Sequence, residues 1–267
     1  TYEKGTDLKN ATIYGGASRR SGNTLNIKAK DTVVKGVHNF ENYKFFLTDK
    51  VSAGDTMLTL TDHNGFENHY SGTTRVDFTK VGIDLTNMSS KQIAGQVTLI
   101  EGAHDNALQF RNYTPRGEAA PTATNGDYEY SLRLTYGNDN TEADVTAMTG
   151  RRVLLDYNRF QNGNEAYNAT GTKTEWFAGR SYGGHTTTKN TLTINADLGR
   201  DITAYGAQTL GTSGGSTGNT VNIQSTGTNN AYRVTAAYGG YIGHASNADA
   251  VTGNTLTLTG GTVGMLY

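Results

Sequence analysis

The chain has 267 residues, room for one or two domains, yet only 35% are hydrophobic, which is low for a compact globule of that size. Its 23 basic residues nearly balance 24 acidic ones, so no footprint for nucleic acid or anionic lipid stands out, and no apolar run approaches the ~20 residues of a membrane span. Glycine is abundant at 34, proline rare at 2 and cysteine absent, which favours many short strands and excludes a small disulfide-stapled scaffold.

Along the chain, residues 1–35 carry Ile13-Tyr14-Gly15-Gly16, a polar stretch, then Gly22-Asn23-Thr24-Leu25-Asn26-Ile27. Residues 36–150 are irregular but rich in strand signals: Tyr43 to Leu47, then Asp55 to Leu60, which resembles a decayed copy of the repeat's strand, then Gly95 to Ile100 and Tyr130 to Thr135. Both prolines fall between Thr114 and Pro121, which predicts a loop there. Residues 153–160 predict one short helix.

Residues 151–267 return to the opening pattern. Tyr182-Gly183-Gly184 precedes Asn190-Thr191-Leu192-Thr193-Ile194; Tyr205-Gly206-Ala207 precedes Gly218-Asn219-Thr220-Val221-Asn222-Ile223; Tyr238-Gly239-Gly240 precedes Gly253-Asn254-Thr255-Leu256-Thr257-Leu258. A further copy begins at Gly264-Met265-Leu266-Tyr267, and the chain, which starts at Thr1, is expected to be a piece of something longer.

The Asn-to-Asn spacing is 29 and then 35 residues, a solenoid period too short for a domain per copy. Within each copy apolar and polar residues alternate, the period of half-buried strands, and the flanking glycines permit tight corners. Such a unit cannot hide its apolar face alone, so copies must stack through main-chain hydrogen bonds. The expected fold is all-β, a right-handed parallel β-helix with an irregular strand-rich middle. Stacking predicts an amide ladder at Asn23, Asn190, Asn219 and Asn254, and an aromatic one at the Tyr-Gly positions. The stretch between Tyr and Asn varies in length, so insertions collect at one corner, where loops should tolerate shortening and carry binding.

The block from Ala237 to Val263, together with Asn39 to Leu47 and Ala53 to Leu60, resembles the repeats of large bacterial autotransporter passengers. The resemblance implies a β-helix exported to the bacterial surface, held to the outer membrane by a barrel encoded beyond this segment, with no membrane insertion by the segment itself. It implies adhesion to a host or bacterial surface protein or glycan, or self-association.

No catalytic set emerges from the residues. β-Helices also carry polysaccharide lyases and glycosidases, which makes paired acids such as Asp139, Glu142 and Asp144, or Asp197 and Asp201, worth weighing. None recurs in register with the repeat, so these read as surface turns. His63, Glu67 and His69 read as a loop rather than a metal set, and Gly211-Thr212-Ser213-Gly214-Gly215 as a turn rather than a nucleophile elbow. No cofactor is expected. The candidate binding residues are aromatic or corner positions: Tyr241, which opens the longest variable loop, His244, and the single Trp176. The reading is a non-enzymatic surface module, with a carbohydrate-active enzyme or an inert spacer as alternatives.

Overall fold

A computed structural model of the protein describes residues 7–16, 22–67, 75–89, 96–114, 122–137, 141–143, 146–167, 174–195, 199–225 and 233–267. Regular structure among these residues is β-strand, apart from a single 3-10 turn at Phe78–Lys80. The chain forms two compact units, one from Thr1–Gly126 with Tyr130–Tyr157, the other from Asp127–Glu129 with Asn158–Tyr267.

The second unit contains three parallel sheets. The first joins Asn164–Tyr167, Thr191–Asn195, Thr220–Ser225 and Thr255–Leu258 in that order. The second joins Glu175–Ser181, Ile202–Thr209, Val234–Tyr238 and Val263–Leu266, and the third joins Thr187–Thr188, Ser216–Thr217 and Val251–Thr252. Along the chain a strand of the first sheet is followed by one of the second, then one of the third, and the order recurs. Register is therefore set copy on copy: Leu192 lies beside Val221 and Val221 beside Leu256, while Ile194 lies beside Ile223 and Ile223 beside Leu258.

The alternation explains which side faces in. Leu192, Ile194, Val221 and Ile223 are fully buried, whereas Thr191, Thr193 and Asn222 between them are half-exposed. The inward chains meet Ile202, Ala204, Val234 and Ala237 of the second sheet, small alanines opposite branched residues, to make one apolar core. Each fully buried Val, Leu or Ile there contributes roughly 1.5–3 kcal/mol relative to exposure.

The first unit begins in the same style. Asp7–Tyr14, Thr32–His38, Thr56–Leu60 and Val97–Glu101 are successive parallel neighbours in one sheet, and Thr24–Ile27, Asn42–Thr48 and Val81–Asn87 in another. Rings from several strands fill the interior, with Phe66 against Tyr43 and Phe110, and Phe78 against Phe110 and Tyr113, all at centroid distances of 4.9 to 5.3 Å.

The parallel pattern then ends. Arg152–Arg159 pairs antiparallel with Val97–Glu101, and Tyr128–Tyr136 follows it in the sheet. The helix expected at 153–160 is thus a strand. Val153, Leu154, Leu155 and Asp156 are buried in succession, because both faces of this strand are covered, and such a strand loses the alternation that would announce it. The buried Asp156 is held by Arg133 Nε at 2.5 Å and by Gln96 Nε2 at 2.8 Å.

Candidate functional site

The recurring asparagine sits where the third sheet turns into the first. Asn190 Nδ2 donates to Asn219 Oδ1 at 2.8 Å, and Asn219 Nδ2 donates to Asn254 Oδ1 at 2.9 Å. The backbone amides of Asn190 and Asn219 donate to the same oxygens, at 3.0 and 2.9 Å, and Gly163 N–H donates to Asn190 Oδ1 at 2.8 Å. Asn190 and Asn219 are fully buried, so the ladder satisfies groups that water cannot reach. Asn23 lies in the other unit, and its carbonyl accepts from Glu41 and Asn42 N–H, each at 3.0 Å, as that of Asn190 accepts from Thr220 N–H at 2.8 Å.

Corner glycines make room for these amides. A methyl on Gly16 would meet Asn23 Nδ2 at 3.1 Å, one on Gly240 would meet Asn254 Nδ2 at 2.6 Å, and one on Gly179 would collide with the Asn190 side chain. In these three copies the glycine is coupled in space to the asparagine that follows, whereas register places Ala207 opposite Gly179 in the copy that carries Asn219.

On the other parity of the second sheet stands an aromatic column. Register pairs Phe177 with Tyr205 and Tyr205 with Tyr238. Tyr205 and Tyr238 stack at 5.1 Å and 9°, and Tyr238 and Tyr267 at 4.6 Å and 6°. Tyr241 leans on both Tyr205 and Tyr238, at 5.5 and 5.0 Å. Tyr182 stands five residues beyond Phe177, with the Arg180 guanidinium over both rings. Phase, rather than the Tyr-Gly-Gly spelling, decides the column: Phe177 occupies it, Tyr182-Gly183-Gly184 does not. Tyr14, in the first unit, is exposed and packs edge-on to His38.

Burial and then the nearby Glu175 carboxylate push the Tyr205 phenol up to about 12, and burial raises that of Tyr238. Both hydroxyls therefore remain neutral hydrogen-bonding groups at ordinary pH, and Tyr205 donates to Glu175 Oε1 at 3.4 Å. Face-to-face stacking leaves ring edges and hydroxyls as what the column can offer a ligand.

Tyr241 and Ile242 form a short strand beside Gln208 and Thr209, and the loop after them is tied down. Asn247 Nδ2 donates to the carbonyls of Gly211 and Gly214, both at 3.0 Å, and Gly214 N–H donates to Asp249 Oδ2 at 2.6 Å. His244 is half-buried, its Nδ1 accepting from Ser246 N–H at 3.1 Å within the loop. The segment from Ile242 to Ala250 is thus bonded to the corner of the preceding copy. Trp176 packs against the apolar core, away from the column.

Sequence reasoning missed Glu129. It is fully buried and accepts from Ser181 Oγ at 2.6 Å, Tyr182 N–H at 2.7 Å and Gly183 N–H at 3.0 Å, with His185 Nε2 at 3.8 Å. It supplies acceptors that the next copy receives from main chain, as where Leu210 N–H donates to Ser181 O at 2.8 Å. Its only trace in the sequence is an acid between Tyr128 and Tyr130.

Asp139, Asp144, Asp197 and His69 lie outside the described residues, as does the side chain of Glu142. Asp201 is exposed and accepts from Arg233 N–H at 3.0 Å. His63 is exposed, its ring 4.4 Å from that of His104, and Glu67 is half-buried. No group of three or more metal-ligating side chains gathers among the described residues. Gly211 to Gly215 form a turn followed by the strand Ser216–Thr217. No protein-family model matches the chain, and comparison with curated proteins and with solved structures gave no match.

Proposed function

We propose that this chain is a segment of a bacterial autotransporter adhesin passenger: a right-handed parallel β-helix, displayed at the cell surface, that binds a surface protein or glycan without turning it over. The observation that carries the reading is the register-locked stack of repeats, which fixes a column of tyrosine edges and a tied corner loop side by side on one sheet. Ladders of this kind make a rigid scaffold whose strength comes from neighbour-to-neighbour pairing, and rigid aromatic groups bind with little loss of conformational freedom.

Incubation with polygalacturonate, other acidic glycans and common β-linked polysaccharides tests the non-enzymatic part. The reading expects no new reducing or unsaturated ends, with or without calcium. Turnover that disappears on replacing Asp139 or Asp144 would establish the enzyme instead.

A further inference from the structure

The sequence holds three Asn-Gly dipeptides: Asn64-Gly65, Asn125-Gly126 and Asn162-Gly163. In such a pair the glycine amide nitrogen can attack the asparagine Cγ. The N–H proton is lost, ammonia leaves, and the resulting succinimide adds water to give aspartate or isoaspartate. The step needs a nitrogen free to give up its proton and a backbone free to bring it onto Cγ. A buried or hydrogen-bonded N–H reacts only when its segment opens.

The three sites differ in that respect. Gly65 is buried and its N–H donates to Asp62 O at 3.1 Å. Gly163 is buried and its N–H donates to Asn190 Oδ1 at 2.8 Å, at the foot of the amide ladder. Gly126 lies at the exposed tip of the turn between Thr122–Asn125 and Tyr128–Tyr136, at φ 56°, with open space around it. Among the described residues no hydrogen bond engages its N–H.

We infer that Asn125 is a site of spontaneous deamidation, and that the fold protects Asn64 and Asn162 from the same reaction. The product alters the surface it belongs to. Asn125 Nδ2 donates to Ser89 O at 2.9 Å, and a carboxylate in its place sets acceptor against acceptor. Isoaspartate also adds one carbon to the main chain at the turn that sets the register of Thr122–Asn125, an end strand of the largest sheet.

The whole chain, kept in mildly alkaline buffer with and without urea, is digested and mapped by mass, with isoaspartate counted by enzymatic methylation. In the folded protein the Asn125 peptide should convert about tenfold faster than the other two or more, because those must open first. In urea the three rates should converge. Equal rates in the folded protein, or Asn64 or Asn162 reacting first, would overturn the inference. Asn125→Gln keeps the amide but closes a ring far more slowly. It should fold normally and lose the mass gain at this peptide, and persistence of that gain there would equally refute the assignment.

Discussion

Asn219→Ala removes the centre of the amide ladder. Oδ1 of Asn219 accepts from both N–H and Nδ2 of Asn190, while its Nδ2 donates to Thr187 O and Ser216 Oγ at 3.0 Å each, as well as to Asn254. Truncation leaves two buried donors on Asn190 without that acceptor, at a cost of about 1–3 kcal/mol each, and the lost donations add ~1 kcal/mol apiece. With two hydrogens on the Asn219 amide, the expected loss is roughly 4–8 kcal/mol. Asn254→Ala should cost about half as much or less, since Asn254 is only half-buried and water can replace its amide. Urea unfolding followed by Trp176 fluorescence reads this directly, because the single tryptophan packs against the core of the same unit. With a slope of ~1–3 kcal/mol/M, the Asn219→Ala midpoint should fall by about 1 M or more. A shift no larger than that of Asn254→Ala would show that the ladder is not what holds this corner.

Three further outcomes follow from the same geometry. Val221→Asp should unfold the second unit while the adjacent Asn222→Asp leaves it folded, as circular dichroism can verify; similar tolerance of both would mean that the facing of this strand is misassigned. Gly179→Ala should lower the midpoint well beyond Gly218→Ala, since a methyl at 179 strikes the buried Asn190 amide whereas 218, at φ 65°, has open space and suffers only backbone strain of ~1–2 kcal/mol; the reverse order in urea titrations would refute the coupling of corner glycine to amide. Burial pushes the Tyr205 phenol up to about 12 in the fold against ~10 unfolded, so the folded state keeps a proton that the unfolded state releases; the stability this group contributes should be constant below pH ~10 and be lost from there to about 12, making the alkaline fall smaller in Tyr205→Phe, whereas an unchanged alkaline slope in that variant would discount the burial of the phenol.

Much of this was legible because the repeat writes the same physics several times. Asn-Thr-Leu-Thr-Ile at 190–194 and Asn-Thr-Val-Asn-Ile at 219–223 spell the corner, the strand and its inward face, and recurrence of the unit implies the parallel sheets that the chain forms. What stayed hidden depends on partners that sequence spacing does not name. The strand at 152–159 is covered on both faces and therefore lost its alternation, and Glu129 takes the place of main-chain acceptors that no pattern encodes. Phase misled as well: Tyr182-Gly183-Gly184 spells the motif, but register gives the column to Phe177. The tie from Asn247 and Asp249 back to Gly214 needs two loops seen together.

Adhesion by the aromatic column tests the central claim most directly. Beads coated with the folded chain are counted on bacterial and host cell surfaces, and compared with beads carrying Tyr238→Ser with Tyr241→Ser, each preparation first matched for circular dichroism. The account predicts that wild-type beads bind and that the double variant loses most of that binding with its fold intact; wild-type beads that do not bind, or equal binding by the folded double variant, would contradict it.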